Sequence, residues 1–154
     1  MRFPSLVSEN LNRQTMTLPD DFAGEVTLVF IAFQQVHQIA VNGWLPLAEQ
    51  LAQRYPRLAY YELPTISRAW GLGRGMIDGG MRAGLPDPAT RARTITLYID
   101  KRPFREALEL PSEETIYLLL VDAQGEVFWR TEGEWTPEGG ARLEAALAER
   151  FSDQ

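Results

Sequence analysis

The run Glu25–Phe33, EVTLVFIAF, is β-branched and aromatic with almost no polar interruption. Successive side chains of a strand point to opposite faces, so a run that is apolar at both parities must be covered on both sides. It predicts a central strand with helices above and below it. After a short polar break, QQVHQ, the residues Trp44, Leu47, Leu51 and Tyr55 recur at three- and four-residue spacing. That spacing predicts a helix over Val41–Tyr55 with one buried stripe. Pro46 is then placed in its first turn, where no backbone donor is lost.

The rest of the chain extends this pattern. Gln14–Leu18 reads as a short strand or hairpin arm, followed by a turn at Pro19, Asp20 and Asp21. Leu58–Pro64 reads as a second core strand that its proline ends, and Arg93–Asp100 as another strand. Residues 65–90 hold six glycines and two prolines. There Ile66, Trp70, Ile77 and Met81 suit a glycine-interrupted helix, with a loop over Gly84–Ala89. RPFREALEL reads as a short helix with Pro103 near its start. Glu114–Asp122 and Glu126–Gly133, joined by a short Gly-containing link, carry a β-hairpin signal. The last helix has Thr136 as N-cap and Pro137 at its first position. Strands linked through helices run parallel and the hairpin is antiparallel, so the order predicts a mixed sheet in one α/β sandwich domain over 1–154.

Composition narrows the chemistry. With no cysteine, disulfides, thiolate chemistry and Cys-ligated metals are all excluded. A single histidine, His37, excludes an all-imidazole zinc site within one chain, so neither metal nor cofactor is expected. Net charge runs −2 over residues 1–65, +4 over 66–106 and −8 over 107–154. An acidic total disfavours general nucleic-acid binding, whereas the basic middle could hold a local anion. No apolar run approaches the ~20 residues that span a bilayer, and the first residues do not resemble a secretory signal, so a cytoplasmic protein is expected.

Three landmarks resemble the thioredoxin-like fold, in particular its peroxiredoxin and thiol-reductase branches. They are TMTLPDDFAGEVTLVFIAF, with Phe30 and Ala32 in an F-x-A strand end; Pro46 in the following helix; and the hairpin and helix YLLLVDAQGEVFWRTEGEWTPEGGARLEAAL, with Asp122, Gly125 and Gly133 in register. The resemblance implies that residues of about 65–110 are an insertion. It also implies that the two reactive cysteines of active relatives fall on Gln35 and Gln38, and their cis-proline on Ile116. A cis bond at a non-proline residue would cost ~3 kcal/mol, so a trans bond is expected there. Within this fold, YLLLVD (117–122), GEVFWR (125–130), Gly133 and WLP (44–46) are similar to the mitochondrial ATP synthase assembly factors and their bacterial relatives, which also lack a redox cysteine pair. That similarity implies a protein-binding or chaperone role in assembling a membrane complex, with a subunit of such a complex as partner.

The site implied is the former active-site groove, formed by Gln34, Gln35, Val36, His37, Gln38 and Ile116. The glutamines offer paired donors and acceptors that could grip a peptide backbone, or could simply sit on a wet loop. His37 reads as an acid–base, as a pocket group beside a helix N-terminus, or as a packed histidine. Arg68, Arg74, Arg82, Arg91 and Arg93 could gather around an anion if the middle segment folds back. GLGRGMIDGG fits neither phosphate-loop pattern, and no serine sits in a nucleophile elbow. Trp44 reads as core; Trp129 and Trp135 read as packing or as a partner surface. Two alternatives to a protein-binding domain stay open at this point. One is a small-molecule binder or cysteine-independent enzyme built on His37 and the arginines; the other is a purely structural module, as a homodimer.

Overall fold

A computed structural model describes residues 1–68 and 73–152, apart from the Arg74 side chain. The expectation for Trp70 lies outside the described residues. The elements are β1 (Leu6–Asn10), β2 (Thr15–Leu18), β3 (Val26–Ala32), α1 (His37–Arg54), β4 (Leu58–Ser67), α2 (Arg74–Gly84) and α3 (Pro88–Ala92). They continue with β5 (Ile95–Ile99), α4 (Lys101–Ala107), β6 (Tyr117–Asp122), β7 (Val127–Glu132) and α5 (Pro137–Ser152). Seven strands form one mixed sheet in the order β2-β1-β5-β4-β3-β6-β7. β4 runs parallel to β3 and β5, whereas β6 is antiparallel to β3 and to β7.

The run that opened the sequence reading becomes β3, and Val26–Ile31 are all at most 2% exposed. Its alternate residues feed two separate cores. Val29 and Ile31 pack with Phe3, Leu97, Phe104 and Leu119 on the α4 side. Leu28 and Phe30 pack with Trp44, Leu51, Leu118 and Leu143 under α1 and α5. Each such aliphatic or aromatic side chain contributes about 1.5–3 kcal/mol by leaving water. The closing hairpin and helix form as expected. Gly125 takes φ 86° in the turn, Asp122 Oδ1 accepts the N–H groups of Gln124 and Glu126, and Thr136 Oγ1 accepts that of Gly139.

Four local expectations are corrected. The hairpin arm at 14–18 has a partner, β1, which the sequence reading left without structure; β1 lies between β2 and β5. β4 does not end at Pro64 but continues to Ser67. Pro64 has no N–H to donate, and it falls where pairing with β5 lapses, between the Glu62–Thr94 bridge and the Thr65–Leu97 pair. α1 begins at His37, four residues earlier than expected, so Pro46 is well inside it and not in its first turn. The buried stripe is accordingly His37, Val41, Trp44, Ala48 and Leu51. Finally, Gly84–Ala89 is not all loop, because Asp87 caps α3 by accepting from the Ala89 N–H and the Thr90 hydroxyl.

Candidate functional site

The break between β3 and α1 turns tightly. The N–H groups of His37, Gln38 and Ile39 donate to the carbonyls of Gln34, Gln35 and Val36, three residues back. Those first-turn donors are therefore occupied by the chain itself. His37 is 7% exposed, and its Nδ1 accepts the backbone N–H groups of Phe33 (3.1 Å) and Gln34 (3.2 Å). An imidazole nitrogen that accepts carries no proton, so the ring hydrogen resides on Nε2. The histidine pins the strand-to-helix turn in place of a side-chain cap, which α1 lacks.

Around this turn lies a cleft of about 680 Å³. Gln34, Gln35 and Gln38 line one side. Ile77 and Met81 of α2 line the other, and Phe33, Pro64 and Ile66 close the floor. Gln34 Nε2 donates to the Glu113 carbonyl (2.8 Å), and Glu113 is held by Lys101 and Arg105 of α4. α2 is anchored across the sheet edge by Arg82 Nε, which donates to the Leu11 carbonyl (2.8 Å), and by Asp78, which accepts from the Tyr98 hydroxyl (2.8 Å). Away from the cleft lining, three large apolar side chains of the turn, α1 and α2 face solvent: Val36 is 61% exposed, Ile39 74% and Met76 86%.

The six groove residues expected from sequence are thus divided. Gln34, Gln35 and Gln38 line the cleft, and Val36 projects from the turn into solvent. His37 is beneath the turn, and Ile116 is 1% exposed in the core under α1. The peptide bond before Ile116 is not cis; Leu18–Pro19 is the one cis bond among the described residues. The arginines are spread out. Arg68 is exposed at the end of β4, Arg82 binds a carbonyl of the N-terminal hairpin, and Arg91 donates to the Leu85 and Arg82 carbonyls. The Arg93 guanidinium lies over the Tyr60 ring, 4.7 Å from its centroid. The Arg74 side chain lies outside the described residues. Trp44 is core, its Nε1 donating to the Gly133 carbonyl (3.0 Å). Trp129 packs against the α1-side core, and Trp135 is 43% exposed beside α5.

One group escaped the sequence reading. Glu62 of β4 is 8% exposed, and its Oε1 accepts from Gln38 Nε2 (2.9 Å). The same amide donates to Asn42 Oδ1 (2.9 Å). Burial pushes the Glu62 carboxyl above the usual carboxylate range, against the smaller opposing pulls of the Gln38 hydrogen bond and the Arg93 charge. Burial likewise raises the Tyr60 hydroxyl, opposed by Arg93. The signal was a lone carboxylate inside LAYYELP, an otherwise apolar strand.

The sheet order, the helices on both faces and the strand–turn–helix that builds the cleft define a thioredoxin-like domain. Solved structures agree. BsSco, a member of the Sco family of cytochrome c oxidase assembly proteins, superposes with a TM-score of 0.63 at 12% identity, over 94% of this chain and 92% of that one. A DsbF homologue from Corynebacterium diphtheriae gives 0.60 at 11% identity, over 94% and 85%. The exposed lipoprotein thioredoxin Etrx1 from Streptococcus pneumoniae gives 0.56 at 14%, over 92% and 97%. No curated protein matches the sequence. Within this fold the family is defined by sequence: residues 1–148 match the ATP10 proteins, and the chain belongs to that family of ATP synthase assembly factors. An assembly factor acts on other proteins, so the family implies a protein partner. Among the described residues, no helix is long and apolar enough to cross a membrane.

Proposed function

We propose that this domain binds a protein partner through the cleft between the start of α1 and α2, and that it does so as an assembly factor for a membrane complex. The observation that carries this reading is the cleft itself, about 680 Å³, walled by Ile77 and Met81, floored by Phe33, Pro64 and Ile66, and edged by the exposed Gln34, Gln35 and Gln38. A concave, mostly apolar site with a few polar groups at its edge is the usual form of a binding site. Gln35 adds paired donor and acceptor groups for a main chain at the same edge. A cysteine-free sequence leaves the frame of a redox site with a binding surface and no thiol to react. The buried, doubly engaged His37 supports a structural role for that ring over an acid–base role.

The test is photo-crosslinking in cells of the native source, with a benzophenone side chain at Gln35, which is exposed and lines the cleft, and a control at Gln124. Gln124 lies in the β6–β7 turn, at the opposite end of β3 from the cleft. Crosslinks to a membrane-complex subunit from position 35 and not from 124 are expected. Equal labelling from both positions, or none from position 35, would refute the assignment of the surface.

A further inference from the structure

The cleft does not end at Gln38. It continues into a second hollow of about 300 Å³ that shares Gln38, Pro64 and Met81 with the first. That hollow opens into a third of about 400 Å³, which shares Asn42, Leu45, Glu62 and Thr90 with it. Together they make one groove between α1 on one side and α2–α3 on the other. Its floor is a single face of β4, formed by the alternate residues Ile66, Pro64, Glu62 and Tyr60. At ~3.3 Å per residue the floor is about 20 Å long, room for an extended segment of roughly six residues. β4 is paired on both edges, so an occupant must be held by its side chains and not by adding a strand.

Glu62 sits midway along this floor. One of its oxygens accepts from Gln38, and the other has no hydrogen-bond partner among the described residues. That second oxygen is not sealed in the interior, so it faces the groove. Among the described residues no cation lies within salt-bridge distance of it, and Arg93, whose charge acts on it from further off, lies over Tyr60 at the third hollow. A mostly buried carboxylate with an open acceptor is a costly feature until a cationic donor reaches it. The walls on either side of it, Met81, Leu45 and Leu85, are apolar.

We propose that the occupant of this groove is an extended, largely apolar segment of the protein partner carrying one lysine or arginine, whose charged head binds Glu62. The inference rests on the reading of the cleft as a partner site and adds the chemistry that selects the partner. The apolar first hollow takes the flanking side chains, and Glu62 fixes the register by admitting a cation at one place. A negatively charged residue there would be repelled by the Glu62 carboxylate.

The test uses synthetic peptides of about nine residues, long enough to overrun both ends of the groove. Their background is Leu, Val, Ala and Ser, and Lys, Arg, norleucine or Glu is scanned through each position. Binding is read by fluorescence polarisation for wild type, Glu62→Gln and Ile77→Asp. Lysine or arginine is expected to win over norleucine roughly tenfold or more at one position, as a charge-assisted bond in a partly dry site should. Glu62→Gln should erase that preference and leave the norleucine peptides bound within about twofold. Norleucine and lysine peptides binding alike at every position, or a preference that survives Glu62→Gln, would overturn the proposal. In that event, binding still lost in Ile77→Asp would keep the cleft as the partner site. No peptide bound by wild type would overturn both readings together.

Discussion

His37 looks functional in sequence and is packed beneath the turn, whereas Glu62 looks like part of a core strand and lines the groove. His37 occupies the loop where active relatives carry reactive sulfur, yet its Nδ1 is spent on two backbone donors. His37→Leu should leave both N–H groups buried without an acceptor and cost about 2 kcal/mol, measured by urea unfolding. A loss near zero would mean that the turn does not depend on the ring. Ile116 lies deep under α1, so an arginine there would bury an unpaired charge and test the core, not the groove. Glu62 carries the opposite lesson and a pH signature. Its carboxyl is raised by burial, so the folded state holds its proton to a higher pH than the unfolded chain does. Stability should therefore fall as pH rises from the usual carboxylate range through the raised value. The groups facing it are Gln38, Asn42, Thr90, Thr94 and Tyr60, with Arg93 nearby. In Glu62→Gln that fall should vanish, so the variant melts above wild type near neutrality (about pH 7) and level with it at about pH 4. Parallel pH profiles for the two proteins would contradict this account of Glu62.

Among the elements, α2 is the one whose sequence least resembles its structure. Glycines at 75, 79 and 80 argue against a helix on propensity. α2 forms because Ile77 and Met81 turn inward and because Arg82 and Asp78 tie it to the N-terminal hairpin and β5. A close approach to the sheet is not what demands those glycines: a Cβ built at Gly79 meets no described atom within 4 Å. Gly79→Ala should then stabilise the protein by about 0.5–1 kcal/mol in thermal or urea unfolding. Destabilisation would show that the helix needs glycine there for a reason other than space. Legibility followed the same physics in other elements. β3, the closing hairpin and α5 were readable because their signals are local: two-sided apolarity, a turn glycine, a threonine cap. The start of α1 was not, because Val36 supplies no side-chain cap and the histidine that pins the turn lies inside the helix. β1 was missed because LVSEN mixes polar and apolar residues, and its register depends on pairing with β2 and the distant β5.

At the scale of the whole molecule, a thioredoxin-like frame without cysteines has become a groove bordered by α1 and α2–α3 and floored by one face of β4. Membership of the ATP10 family supplies the class of work, and the cleft lined by Gln35, Ile77 and Met81 is the surface proposed to do it. Of the groove residues named from sequence, Gln34, Gln35 and Gln38 line the cleft. The sequence could not reveal the groove's length, because Glu62, Met81 and Thr90 meet there only through tertiary folding. The measurement that bears most directly on the central claim is crosslinking from Gln35, at the cleft edge, in otherwise wild-type protein beside the same probe in an Ile77→Asp background. Labelling of a membrane-complex subunit that disappears with Ile77→Asp, while the variant's melting temperature holds, is the expected result. Undiminished labelling in the folded variant would contradict the claim that the partner enters this cleft.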